Sequence, residues 1–188
     1  MTSPPAGPFR PYPWPLNRLR DALRFLRLQR TKSSGPAHFT CGDAVSFAKG
    51  IDIRSPHLLE IGHHVSFGKN FTCEVDVRIG NHVLVSSNVS FIGKDHPFED
   101  PSTTVYEAAR LDNSFVEVGS DVLIGFGSII VGSVRIGDGC IIGAGSVVVQ
   151  DLPPYTVCAG VPAKPIRPRY RHSSEGELQP ESPPERVD

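Results

Sequence analysis

Between Ile61 and His96 an apolar side chain returns at every sixth residue. Cut in sixes, the stretch reads IGHHVS, FGKNFT, CEVDVR, IGNHVL, VSSNVS and FIGKDH. The first position holds Ile61, Phe67, Cys73, Ile79, Val85 and Phe91. The fifth holds Val65, Phe71, Val77, Val83 and Val89, then gives way to Asp95. From Val118 the same cut yields VGSDVL, IGFGSI, IVGSVR, IGDGCI, IGAGSV and VVQDLP, with aliphatic residues at every first position. Weaker hexads reach back to about residue 37, with Phe47, Ile53 and Leu59 at the fifth position.

A period of six is neither the 3–4 spacing of an amphipathic helix nor the unbroken alternation of a long strand. Two inward positions four apart fit one short strand, and the Gly or polar residues between pairs supply a bend. Three such sides close one triangular coil. Stacked coils then pair strand over strand in parallel at about 4.8 Å. Each coil covers its apolar pair only with the help of its neighbours, so the predicted core is a column. The predicted fold is all-β, a parallel β-helix over 37–168.

Flanking segments follow a different pattern. Residues 1–15 form a proline-rich leader. In Leu16–Arg30, Leu16, Leu19, Leu23 and Leu26 make a helical stripe with Arg20, Arg24 and Arg27 on another face, which predicts a helix over 16–30. An exposed end of a β-helix needs covering, so this helix is read as a cap in preference to a membrane-surface element. Residues 169–188, acidic and apolar-poor from Ser173 onward, are expected to lack structure.

Composition narrows the functional classes. The chain has 188 residues, 18 Gly, 18 Pro and a net charge of −1. That balance gives no whole-chain attraction to nucleic acid. No apolar run approaches the roughly 20 residues of a membrane span, and the leader lacks the apolar core of a secretory signal, so a cytoplasmic location is expected. The four cysteines, Cys41, Cys73, Cys140 and Cys158, form no CxxC pair, which leaves zinc and disulfide frameworks unsupported.

The rhythm fails once, over a predicted loop at 97–117, and His96 stands at its edge. A loop this long inside a compact repeat is usually functional. An imidazole with an ordinary pKa near ~6.5 can accept a hydroxyl proton at neutral pH and return it to a leaving group. Asp95 is adjacent, but neighbouring side chains on extended backbone diverge.

The segment IGDGCIIGAGSVVVQDLPPYTVCAGVPAKPIR, Ile136 to Arg167, resembles the closing part of the hexapeptide-repeat acyltransferases, which include galactoside, maltose and polysaccharide O-acetyltransferases. The resemblance covers roughly residues 40–168. It implies a left-handed β-helix, a homotrimer, and acetyl-coenzyme A bound between neighbouring prisms. The His96–Pro97 pair matches the catalytic histidine of galactoside-type enzymes, which implies a general base acting without an acyl-enzyme intermediate. Gly125, Phe126, Ala144 and Val149 match positions lining the pantetheine arm. Lys164 and Arg167 match coenzyme-contacting cations, and the basic run they share with Arg169 and Arg171 can meet phosphates. Gly143, Gly145, Ser128 and Ser146 supply further small residues for a narrow groove.

Glu74 falls where a galactoside-type enzyme presents an acceptor-binding carboxylate. The implied acceptor is a hydroxyl of a sugar or polysaccharide precursor, and no metal is required. The chain departs from the family at Phe126, often Ser, at Val149–Gln150, often Thr-Lys, and at Leu123, commonly Trp. Two other readings share the fold. One is a zinc protein of the γ-type carbonic anhydrase kind, prompted by His64 and His82 at the spacing of one coil. The other is a non-catalytic trimeric scaffold.

Overall fold

Three strands per turn, wound into a three-sided column, make up the computed structural model, which describes residues 36, 38–93, 95–172 and 178–180. Face 1 stacks His38–Cys41, Leu58–Ile61, Asp76–Ile79, Phe115–Val118 and Val134–Ile136. Face 2 stacks Ser46–Phe47, Ser66–Phe67, Leu84–Val85, Leu123–Ile124, Ile141–Ile142 and Thr156–Gly160, and ends with Ala163–Pro168 running antiparallel. Face 3 stacks Asp52–Ile53, Thr72–Cys73, Ser90–Ile92, Ile129–Val131 and Val147–Val148. All pairings between successive coils are parallel. The predicted β-helix is therefore the architecture. The leader, the expected helix over 16–30 and most of the tail lie outside the described residues.

The hexad positions become the core. Val65, Phe71, Cys73, Val77, Val83, Val89 and Phe91 are fully buried, as are Ile124, Ile130, Cys140 and Val148. Phenylalanines fill the first half of the column: Phe47 stacks on Phe67 at 4.8 Å, and Phe71 meets Phe91 edge-on at 5.2 Å. Aliphatic residues fill the second half. Burial pushes the Cys73 and Cys140 thiols up to about 12, so both behave as small apolar residues.

The corners explain residues that look chemical in the sequence. Between faces 1 and 2, Ala44, His64, His82, Asp121, Gly139 and Tyr155 occupy successive turns, all at positive φ. Gly50, Asn70, Asn88, Gly127 and Gly145 do the same between faces 2 and 3. His, Asn and Asp are the non-glycine residues most often found in that region. His64 and His82 therefore stack at 4.9 Å with planes 5° apart, one per coil, and the Asn70 amide donates to Asn88 Oδ1 at 2.9 Å.

Two frame shifts correct the sequence reading. Partners are 18 residues apart through most of the column, but the first turn is longer, with Phe47 over Phe67 and Ile53 over Cys73. Phe47 and Ile53 thus occupy first positions, not fifth; only Leu59, over Val77, keeps the expected slot. The extra residues form the corner Arg54–His57. The second shift is the large excursion. Val116 pairs with Val77 and Val134, so the frame resumes at Phe115–Val118 rather than at Val118. The excursion therefore runs from Gly93 to Ser114, and residues 115–117 of the predicted loop belong to face 1. At the C-terminus, Tyr170–His172 pairs antiparallel with Leu178–Pro180, so this part of the expected structureless tail is paired.

Candidate active site

The excursion leaves the column at the corner between faces 3 and 1, where its two limbs cross. A Cβ on Gly93 would stand 2.7 Å from the Ser114 Cβ, an approach only glycine permits. Just outside this crossing the Leu111 N–H donates to the Asp95 carbonyl at 3.0 Å. Farther out, Thr104 opens one helical turn. Its carbonyl accepts from the N–H groups of Glu107 and Ala108, both at 3.0 Å, and its hydroxyl donates to the Glu107 carboxylate at 2.7 Å. The loop thus has internal structure of its own.

That turn aims the Ala108 carbonyl at the half-buried His96, whose Nδ1 lies 2.6 Å from the oxygen. A carbonyl can only accept, so Nδ1 carries the proton. In the neutral ring, Nε2 is then left with its lone pair. Asp95 accepts from the His96 backbone N–H at 2.9 Å, so it fixes the main chain and not the ring.

Glu74 lies at the same corner one coil earlier, and its carboxylate is ion-paired with Arg54 at 2.9 Å. Arg54 also reaches Asp52 at 3.0 Å. Val149, 51 % exposed, follows the last strand of face 3 at this corner.

Gly125, Phe126 and Ala144 instead occupy the corner between faces 2 and 3, on the opposite edge of face 3 from His96. Phe126 and Ala144 are exposed there, one coil apart. Ser128 and Ser146 are correctly placed in the repeat but cannot line a groove. Both are fully buried and donate to the Gly143 carbonyl, at 3.0 and 2.7 Å. Lys164 and Arg167 are exposed on the closing antiparallel strand of face 2.

Arg169 departs from the expected basic cluster. Its Nη1 donates to the Asp121 carboxylate at 2.8 Å, to the Asp121 carbonyl at 2.9 Å and to the Gly139 carbonyl at 3.0 Å. Only 22 % exposed, it ties the chain's return to the corner between faces 1 and 2. These three acceptors take up Nη1 and hold the guanidinium against the fold, away from an open basic run.

The candidate residues of one chain are therefore split: His96, Glu74 and Val149 at one edge of face 3, Gly125, Phe126 and Ala144 at the other, and Lys164 and Arg167 on the closing strand of face 2. Cavities of about 410 and 290 Å³ lie on face 1 and are lined by none of these residues. Among the described residues no group of three or more His, Cys, Asp or Glu is placed to hold a metal ion. The sequence reading missed the Ala108 carbonyl, because a backbone acceptor leaves no trace in residue identity. It also missed Asp76 and Asn113, whose only sequence signals are the frame shifts on either side of them.

Comparison with known proteins agrees with the architecture. Residues 115–150 match the family model described as bacterial transferase hexapeptide (six repeats). A Schizosaccharomyces pombe protein assigned to the acetyltransferases is 35 % identical over 62 % of this chain and 58 % of its own length. Galactoside O-acetyltransferase of Escherichia coli is 32 % identical over 61 % of this chain and 59 % of its own. The chain thus spans less than two thirds of these relatives. Among solved structures, a maltose O-acetyltransferase from Clostridium difficile 630 superposes with a TM-score of 0.51 at 25 % identity, over 81 % of this chain and 83 % of that one. A hexapeptide-repeat acetyltransferase from Vibrio cholerae superposes at 0.55 over 82 % and 92 %; its 24 % identity speaks for the fold alone.

Proposed function

For a chain that carries the hexapeptide repeats of the bacterial transferases, we propose O-acetyl transfer from acetyl-coenzyme A to a hydroxyl of a sugar or polysaccharide precursor. His96 is the general base. The observation that carries this reading is the 2.6 Å contact between His96 Nδ1 and the Ala108 carbonyl. It leaves Nε2 as the basic nitrogen of the neutral ring, the state required to remove a proton from an attacking hydroxyl.

The acceptor hydroxyl gives its proton to Nε2 as its oxygen attacks the thioester carbonyl carbon. The tetrahedral adduct collapses by breaking the C–S bond. The Nε2 proton then passes to the departing thiolate, giving the acetyl ester, free thiol and a neutral imidazole. The Ala108 carbonyl faces the imidazolium formed midway and stabilises it. No side chain is acylated.

The catalytic unit is a homotrimer. On face 1 the outward side chains in register are Glu60, Arg78, Glu117 and Arg135, with Glu60 bound to Arg78 at 2.6 Å and Glu117 to Arg135 at 2.9 Å. Outward positions in the later coils are apolar on the other two faces: Leu84, Leu123 and Ile141 on face 2, Ile129 and Val147 on face 3. Apolar outward faces that differ from one another suit a head-to-tail contact between copies, the kind that closes into a ring such as a trimer. Because one chain holds His96 and the Gly125–Phe126–Ala144 corner on opposite edges of face 3, a complete site draws residues from a neighbouring copy.

The decisive test screens sugars and polysaccharide precursors for acceptor-dependent thiol release from acetyl-coenzyme A, alongside sedimentation of the wild type. Acceptor-dependent release by a trimer is expected. A monomer at micromolar concentration, or no release with any acceptor, would refute the assignment.

A further inference from the structure

The two frame shifts of the column, far apart in sequence, meet on one carboxylate. Asp76 opens a face 1 strand directly inside the excursion's return limb, and its N–H donates to the Ser114 carbonyl at 3.0 Å. Its Oδ1 accepts from Ser55 Oγ at 3.0 Å and from the N–H groups of His57 and Leu58 at 2.9 and 2.8 Å, all at the lengthened first corner. Its Oδ2 faces His57 Nδ1 at 3.1 Å and accepts from the Asn113 side-chain amide. The carboxylate is only 13 % exposed, whereas the His57 ring is 71 % exposed.

Asn113 is oriented by this contact. Its Oδ1 is buried and has no partner among the described residues. Turning the amide over would set that oxygen against the Asp76 carboxylate, so the donor must point at Asp76. Asn113 ends the same limb that supplies the Leu111 N–H to Asp95 and the Ala108 carbonyl to His96. A continuous path of hydrogen bonds and short backbone thus joins Asp76 to the His96 ring.

We propose that Asp76 is a positioning residue for the His96 imidazole, holding the return limb through Asn113 so that the Ala108 carbonyl stays against Nδ1. This rests on His96 being the base. Asp76 touches no reacting atom. Its contribution is to keep the ring in one tautomer and one orientation. The carboxylate tolerates its partial burial because both oxygens are engaged by donors.

The test exchanges the two groups. In Asn113→Asp two carboxylates oppose each other and the link is lost. In the double variant Asp76→Asn/Asn113→Asp, the asparagine amide introduced at position 76 can donate to the new carboxylate, while its side-chain oxygen still serves the first corner. Asn113→Ala removes the link without adding charge. Two readouts are taken on the full-length protein: acetyl-transfer kinetics, and the ¹⁵N ring shifts of His96, which report its tautomer without any substrate.

The single variants should lower kcat by about tenfold or more, with KM for acetyl-coenzyme A unchanged, since contacting groups in one network couple strongly. Their His96 rings should show a mixture of tautomers. The exchanged pair should recover kcat to within about threefold and restore the single Nδ1–H form. Wild-type kcat and ring shifts in Asn113→Ala would overturn the proposal, as would an exchanged pair that melts like wild type but stays impaired. If His96 is not the base, His96→Ala will turn over normally while the ring of Asn113→Ala still changes tautomer. In that outcome the positioning stands and the catalytic assignment falls.

Discussion

Replacing His96 by alanine tests the proposed base apart from the scaffold. The ring is half-buried at the start of the excursion and makes one hydrogen bond, to the Ala108 carbonyl. Loss of one such bond costs about 1 kcal/mol, small against the stability of a continuous core. The excursion also keeps its Leu111–Asp95 tie and the Asn113–Asp76 contact, so the fold should survive. A positioned general base contributes about 10²–10⁴ in rate, or about 2.7–5.5 kcal/mol of barrier at 1.36 kcal/mol per decade. Because other residues hold the coenzyme in the proposed site, Gly125, Phe126, Ala144, Lys164 and Arg167 among them, its affinity should change little. The assay follows thiol release with a responsive acceptor, with coenzyme binding measured by calorimetry and assembly by sedimentation. The expected result is an intact trimer with unchanged coenzyme affinity and turnover down by at least two decades. Turnover within a few-fold of wild type would refute the reasoning, whatever the stability.

Three other outcomes follow from the packing and the charges. Phe71→Ala empties a fully buried site between Phe67 and Phe91 and should destabilise the protein by about 3–5 kcal/mol in denaturant unfolding. Arg169→Ala should lower the melting temperature while leaving the coenzyme dissociation constant and its salt dependence unchanged, because that guanidinium is committed to Asp121 and Gly139. A weaker, less salt-sensitive dissociation constant would instead put Arg169 at the phosphates. The third concerns acid. Burial alone would raise the Asp76 pKa, but the bonds from Leu58, His57 and Ser55 outweigh it and hold the carboxyl below its ordinary 3.8. A depressed carboxylate contributes its stability above the unfolded value and loses it as pH falls through the folded one. Melting should therefore drop more steeply below pH 3.8 in the wild type than in Asp76→Asn, and parallel curves would remove Asp76 as a cause.

The column was legible because burial acts on each hexad in the same way. Ile61, Phe67 and Cys73, and later Ile124, Ile130 and Ile136, recur at first positions because each must face the same axis. Where insertions of unknown length intervene, periodicity no longer specifies phase. The spacing alone therefore assigns Phe47 and Ile53 to fifth positions and the return to Val118, whereas the structure has them at first positions and the return at Phe115. The excursion carries no period at all, and its apolar residues Phe98, Val105 and Tyr106 are exposed. The corner histidines show the reverse difficulty. His64 and His82 look like ligands in a sequence, yet their place in the chain follows from a left-handed backbone position.

The sequence by itself determined the six-residue phase, hence a three-sided parallel column, and it singled out His96 as the imidazole at its one large interruption. Only the tertiary structure decided which nitrogen of that ring is basic, that Arg169 braces the fold, and that Asp76 joins two distant frame shifts. The physical reason lies in the kind of interaction. Apolar burial is additive along the chain and writes itself into residue spacing. A hydrogen bond to a backbone carbonyl, or between side chains from separate insertions, depends on where folding brings the groups together, and spacing does not record that.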